Sequence, residues 1–279
     1  LILDFIKLNP AENTTVLILN HVNPCYYRDV AQKIMAYSHL HAEQVGFITK
    51  PKNNEKTIAR LEMAGGEFCG NGILAAGALC KYVGLTKNSG FKIESSGSDK
   101  VLECLVNEIK SRFYNVKSSM PLDYTLSEYK LYDEHKFLNG ILVKLKGITH
   151  FLYETQTEES DWLLKRLVTK LAKELCGEAF GVIPYIRKKG DVFIRPCVFV
   201  PKTGSLVFER SCGSGSLALG LCMAHKIKSS LQLGIKQPGG CIKVTINGKK
   251  EKNRKEVFEV KQAFIETKVE ITCEGKVFI

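Results

Sequence analysis

The chain has 279 residues, 44% of them hydrophobic and 25% charged, with a formal net charge of +11; that is enough for one large or two ordinary domains with a sizeable core. No apolar run is long enough to span a membrane, and the basic residues are scattered, short runs such as Arg187-Lys188-Lys189 and Lys249–Lys255 aside, instead of forming an aromatic-interleaved stripe that would read as a nucleic-acid surface. Ten cysteines are present without a C-x-x-C or a Cys/His pair at zinc spacing, which argues against a metal site and a disulfide framework. The opening Leu1–Lys7 has no charged n-region and no small-residue cleavage site, so it reads as a first strand and not a signal peptide. We therefore expect a cytoplasmic protein that binds neither nucleic acid nor membrane. Most of its thiols should act as small buried hydrophobes, Cys197 in Arg195-Pro196-Cys197-Val198 among them.

In chain order, residues 3–8 and 15–20 read as strands around the turn Asn9–Thr14. Val30, Ile34, Met35 and Tyr37 recur at helical spacing over 27–38. A polar break, His39–Gln44, precedes a short strand at 45–49, and a further strand is expected over 57–63. A helix then runs to about Val83 and stops at Gly84. Strands are expected at 91–94, 100–105 and 111–117. Ser118–Leu122 reads as a crossing between halves. The second half repeats the order: strands at about 139–146 and 149–154, then a helix at 158–175 with Trp162, Leu163, Leu167, Leu171 and Leu175 on its apolar stripe. Strands at about 191–200 and 205–209, a helix at 213–227, a turn at Gln237–Gly240 and further strands follow. The expectation is an α+β protein of two pseudo-symmetric domains with a site between them. Their limits are 1–118 (completed by about 265–279) and 119–264.

One motif occurs twice. Cys69-Gly70-Asn71-Gly72-Ile73-Leu74-Ala75-Ala76-Gly77 and Cys212-Gly213-Ser214-Gly215-Ser216-Leu217-Ala218-Leu219-Gly220 both read C-G-x-G-x-L-A-x-G, each shortly after a glutamate, Glu67 or Glu209. Each is a glycine turn opening an apolar helix. Glycines let the backbone approach a ligand closely, and the N–H groups of a first helical turn bind an anion such as a carboxylate. A cysteine there feels the positive end of the helix dipole, which can lower its pKa to roughly 3.5–7.5. Two such turns face to face would put thiols on opposite sides of one α-carbon. Cys69 and Cys212 are thus the candidate acid–base pair, and Gly70, Asn71, Gly213 and Ser214 the candidate carboxylate binders. Cys80 and Cys222 lie deeper in the helices and take no role. None of His21, His39, His41, His135, His150 and His225 stands out as a partner base. A different class remains open, a thiol redox or small-anion-binding protein in which the two cysteines pair.

These motifs, with Asn9-Pro10-Ala11-Glu12-Asn13, resemble the cofactor-independent amino-acid racemases of the diaminopimelate epimerase fold. The resemblance covers nearly the whole chain. Within that superfamily, Glu43-Gln44-Val45-Gly46-Phe47-Ile48 and Gln237-Pro238-Gly239-Gly240 extend it to the histidine racemases. Diaminopimelate epimerases carry Gly-Asn-Pro-His where this chain has Gly147-Ile148-Thr149-His150, and more residues before the second cysteine than Glu209-Arg210-Ser211 provides. Both departures point away from diaminopimelate, whose epimerase remains the alternative. The resemblance implies a curved, mainly antiparallel sheet around a central helix in each domain, a homodimer, no cofactor and no metal. It implies a two-base mechanism on an amino acid, most readily histidine. Asn13, Glu43, Gln44 and Glu209 are then substrate-contacting candidates, with Glu43 reading the imidazole, and Glu67 and Glu209 cap the turns or hold the substrate ammonium.

Overall fold

Strand β1 (Ile2–Pro10) buries Leu3 and Phe5 in one core cluster with Val16, Ile18, Tyr27 and Phe47, and Leu8 is fully buried as well. In the computed structural model, which describes residues 1–52, 56–133, 136–251 and 254–279, the chain divides into two units. One comprises Leu1–Pro121 with Phe264–Ile279, the other Leu122–Ala263.

In the first unit β1 is followed by β2 (Thr15–Ile18), α1 (Tyr27–Met35), β3 (Gln44–Thr49), β4 (Ala59–Met63), α2 (Gly70–Tyr82), β5 (Gly90–Ser95), β6 (Leu102–Lys110) and β7 (Phe113–Ser119). The pairings run β1–β2 antiparallel, β2–β3 parallel, β3–β4 antiparallel, β4–β5 parallel, then β5–β6 and β6–β7 antiparallel. The last strand of the chain closes the ring. Its residues Phe264–Glu270 pair with β7, and Val269–Phe278 with β1. Closure leaves this sheet no free edge. Helix α2 fills it: every residue from Gly70 to Cys80 is buried, against β1, β2, β3, β4, β6 and β7. Its glycines and alanines let it fit; a Cβ on Gly77 would lie 3.0 Å from Val116 Cγ1. Helix α1 covers the outside with Tyr27, Val30, Ala31 and Ile34, and Tyr27 stacks on Phe47 at 3.8 Å.

The second unit contains β8 (Tyr124–Asp133), β9 (Lys136–Leu145), β10 (Ile148–Glu154), α3 (Asp161–Glu174), β11 (Phe180–Lys188), β12 (Asp191–Ile194), β13 (Cys197–Val200), β14 (Ser205–Phe208), α4 (Gly213–Ile227), β15 (Leu231–Gln237) and β16 (Gly240–Glu251); β17 (Arg254–Phe278) leads back to the first. Here β9–β10 is antiparallel, β10–β11 parallel, β11–β12 antiparallel, β12–β15 parallel and β15–β16 antiparallel. This repeats the order of β1 to β6, with the β13–β14 hairpin added beside β11. Helix α4 packs on β9, β10, β15 and β16, and α3 covers β8, β11 and β13.

Several expectations are corrected. Strands β8 and β11 were not foreseen. Half the residues of β8 are exposed and only Leu131 is buried, so its place rests on the ladder to β9 and not on an apolar pattern. Strand β11 carries Gly181 and Pro184, which weaken a strand signal. The buried stripe of α3 is Leu164, Leu167, Val168 and Leu171; Trp162 is exposed and lies 4.0 Å from the Arg166 guanidinium. Cys25, Cys176, Cys241 and Cys273 are exposed, so only part of the thiol set is core. His135 and part of the Lys249–Lys255 run lie outside the described residues. No helix among the described residues is long and apolar enough to cross a membrane.

Candidate functional site

In each unit the cysteine of the repeated motif is the N-cap of the central helix. Cys69 has extended backbone, and its Sγ accepts the Gly72 N–H at 3.2 Å. Cys212 has the same geometry, and its Sγ accepts the Gly215 N–H, also at 3.2 Å. The thiol thus does what serine or aspartate does at an ordinary N-cap. The helical ladders begin with Ile73 N–H on Cys69 O and Ser216 N–H on Cys212 O. Gly70, Asn71, Gly213 and Ser214 therefore precede the ladder in each copy, where first-turn N–H groups are turned toward an anion.

Each turn is clamped by the segment that leaves the neighbouring strand. In the first unit Ser96 Oγ accepts the Met63 N–H at 2.9 Å and donates to Glu67 O at 2.8 Å. Gly97, at φ 67°, lies so close to Phe68 that a Cβ would come within 2.1 Å of its nitrogen. In the second, Gln237 Oε1 accepts the Cys212 N–H at 2.7 Å while its Nε2 donates to Ser216 Oγ at 2.9 Å. Ser216 Oγ donates in turn to Cys212 O at 2.7 Å, and Gly239 N–H to Arg210 O, also at 2.7 Å. Sequence reasoning saw only a turn and a family match at Gln237, and nothing at Ser216 or Ser96. These residues act through long-range hydrogen bonds that carry no local signature.

The surroundings of the two thiols differ. Cys69 is half-exposed, and its thiol donates to Gln44 Oε1 at 2.9 Å. Glu67 is exposed and turns over Gly65. Cys212 is only 2% exposed. Burial pushes its thiol well above the ordinary value, and the neighbouring Glu209 carboxylate pushes it the same way, while Ser214 and the Gly215 N–H pull it down. The expected lowering by the helix N-terminus is thus outweighed at Cys212. Ser214 Oγ lies 3.4 Å from Cys212 Sγ and 2.9 Å from Nε2 of the fully buried His150. Cys80 and Cys104 are pushed up to about 12, mainly by burial, which makes them inert core thiols.

Of the remaining candidates, Asn13 is buried after a turn that holds Ala11 and Glu12 at positive φ. Asn71 is buried in the first turn of α2. Glu43 is exposed, its backbone N–H bonded to Thr14 O at 3.0 Å, and it sits next to Gln44 at the start of β3. The first unit so brings Gln44 to Cys69, and the second brings Glu209 and Ser214 to Cys212. Among the described residues no group of three or more His, Cys, Asp or Glu is arranged to hold a metal ion.

Residues 2–278 match the family described as "Histidine racemase CntK N-terminal domain". A histidine racemase of Fusobacterium nucleatum subsp. nucleatum is 33% identical over 287 residues, covering 100% of this chain and 97% of that protein. One from Staphylococcus aureus is 26% identical over 247 residues, covering 88% of each. Among solved structures, a hydroxyproline epimerase from Agrobacterium vitis superposes with a TM-score of 0.72 at 9% identity, over 99% of this chain and 92% of that one. A PhzF-family phenazine biosynthesis protein from Bacillus anthracis gives 0.69 at 12% identity, over 100% of both. At these identities the structures establish a shared mixed α/β fold and nothing of chemistry.

Proposed function

Because this chain belongs to the histidine racemase family, we propose that it interconverts L- and D-histidine by a two-base mechanism with Cys69 and Cys212 as the bases. The observation that carries this reading is the duplicated cap: two central helices, each opened by a cysteine whose Sγ accepts an N–H at 3.2 Å. One cysteine, as thiolate, takes the α-proton, and the other, as thiol, delivers a proton to the opposite face. After one turnover the two have exchanged protonation states, so the reverse reaction starts from the product of the forward one.

The obstacle is the weak acidity of an amino-acid α-carbon. The N–H groups of Gly70, Asn71, Gly213 and Ser214 are the donors we assign to the substrate carboxylate. Charge developing there on α-deprotonation is stabilised by two helix N-termini, and exclusion of water strengthens the effect. Glu209 favours the thiol form of Cys212, which suits it as the proton donor. Asn13 and Gln44 line the Cys69 side in this reading. Glu43 accepts the imidazole N–H of the substrate, a charge-assisted hydrogen bond. The scheme assigns no step to a cofactor, and we take the working form to be a homodimer in the cytoplasm.

Proton NMR in D₂O tests the reading directly. Loss of the α-proton signal of L-histidine, with that of LL-diaminopimelate retained, is the expected result. Loss on diaminopimelate alone would overturn the substrate assignment, and exchange on no amino acid would overturn the racemase mechanism.

A further inference from the structure

We propose that Gln237 is a positioning residue which, through Ser216, holds the peptide joining Cys212 to Gly213 and so aims the Gly213 N–H at the substrate carboxylate. The inference rests on the two-thiol reading above. It starts from a difference between the two copies of the motif. Four residues after the cysteine the first copy carries Ile73 and the second Ser216, and both are fully buried. A hydroxyl in an apolar helix loses water and needs partners. Ser216 Oγ has two: it donates to Cys212 O at 2.7 Å and accepts from Gln237 Nε2 at 2.9 Å. The first bond alone is the ordinary back-bond of a helical serine to the carbonyl four residues earlier. The second comes from another element, and it ties the start of α4 to the β15–β16 turn.

The chemistry of the groups gives these contacts one direction. A backbone N–H only donates, so the Gln237 oxygen faces Cys212 N, 2.7 Å away. The Gln237 nitrogen then faces Ser216 Oγ and donates to it, and the Ser216 hydrogen goes to Cys212 O. The N–H and the C=O of one residue are thus held by one amide and one hydroxyl in a closed ring. The glutamine is itself set in place, as the last rung of the β15–β16 ladder, opposite Gly240. Pro238 follows with its φ fixed by the pyrrolidine ring, and Gly239 N–H donates to Arg210 O at 2.7 Å. The hairpin turn therefore grips the chain on both sides of Ser211.

This grip fixes the two peptide planes that flank the Cys212 α-carbon. With φ held at −123° and ψ at 106°, the sulfur keeps only χ1, which the Gly215 N–H at 3.2 Å sets. The second plane bears on the substrate. In a trans peptide the C=O of Cys212 and the N–H of Gly213 lie in one plane and point opposite ways. Bonding the carbonyl to Ser216 therefore turns the Gly213 N–H toward the N-terminal end of α4, where an anion binds. Gly213 has no Cβ to restrain that plane, so the restraint comes from Ser216 and Gln237. The first unit is built differently: Ser96, in the segment after β5, bonds Met63 N–H and Glu67 O, ahead of the cysteine.

The test separates catalysis from folding. Gln237→Leu, Ser216→Ala and the double variant are compared with the unaltered chain by kcat and KM for L-histidine, by thermal melts, and by the Cys212 amide signal in protein labelled with ¹⁵N-cysteine. That signal is identified as the one lost in Cys212→Ser. A misdirected Gly213 N–H weakens the hold on charge that develops in the transition state more than the hold on bound substrate. Each single variant should therefore lose about tenfold in kcat per folded enzyme, the scale of one hydrogen bond to a charged group, with KM changed by less than about twofold. The double variant should be no worse than Gln237→Leu. The Cys212 amide proton should move upfield in Gln237→Leu and stay near its place in Ser216→Ala. A merely structural role would lower the melting temperature and leave kcat intact, which would overturn the proposal. A rise in KM that carries the whole loss would overturn it too, as would losses that multiply in the double variant. Should Gln237→Leu fail to fold, Ser216→Ala still decides, because it keeps the bond to the Cys212 N–H. Near-normal turnover in Cys212→Ser would instead overturn the underlying two-thiol reading, a separate failure because the amide signals do not depend on turnover.

Discussion

The Cys69 thiol donates to Gln44 Oε1 at 2.9 Å. That oxygen only accepts, so in this arrangement it supports the protonated sulfur. Cys212 differs: the glutamine near it, Gln237, bonds the cysteine backbone and leaves the sulfur to Glu209 and Ser214. Gln44→Glu would put a carboxylate where the amide stands, and a like charge disfavours a thiolate. We expect at least a tenfold loss of kcat/KM for L-histidine near pH 7, about one unit of thiolate stabilisation, and an acid limb moved to higher pH. Gln44→Ala should cost less and move the limb less. A Gln44→Glu enzyme with an unchanged pH profile would remove Gln44 from control of Cys69.

Each sulfur caps its own helix, so a serine in its place would keep the cap while losing the acidity. A hydroxyl satisfies the N–H of Gly72 or Gly215 as well as sulfur does. It is too weak an acid to serve as a base near neutral pH. Cys69→Ser and Cys212→Ser should therefore fold with little change in melting temperature. Both should lose about 10²–10⁴-fold in racemisation, the usual scale of a general acid–base group. Optical rotation of L-histidine solutions, read alongside thermal melts, checks both halves of the expectation.

The parts of this protein legible in its sequence are those whose causes are local. Helix α4 begins and ends where the C-G-x-G turn and the last apolar residue put it, and α2 stops at Val83 before Gly84, at φ 72°. The two cysteines were legible because the motif occurs twice. Strand β8 was not, because pairing with β9 holds it while only Leu131 of its residues is buried. The electrostatics of Cys212 were not, because burial and Glu209 act against the helix N-terminus and only the fold sets their balance. Ser96, Gln237 and the His150–Ser214 contact join segments far apart in the chain, and no spacing rule reaches them.

Substrate choice should lie with Glu43. It is exposed at the start of β3, one residue from the Gln44 that holds Cys69. In the proposed reading its carboxylate pairs with the imidazole, so Glu43→Ala should raise KM for histidine and lower its turnover. Amino acids without a side-chain donor should be affected less. The measurement is α-proton exchange in D₂O across a panel of amino acids. An unchanged ranking of substrates would take Glu43 out of specificity.

His150 also ties stability to acid pH, and the sign follows from its burial. Its pKa falls from 6.5 to about 3 on folding, through desolvation of the charged ring. Above pH 6.5 the folded and unfolded chains both carry this group neutral, and it adds no pH dependence. Between pH 6.5 and 3 the unfolded chain takes up a proton that the folded chain refuses, so stability falls as pH falls, by up to about 1.4 kcal/mol per pH unit from this group. His150→Phe removes the titration while filling similar space. Urea midpoints taken from pH 7 down to pH 4 should therefore drop less steeply for His150→Phe than for the unaltered chain, even where the variant is less stable at pH 7. Parallel curves would mean that His150 is protonated in the folded protein.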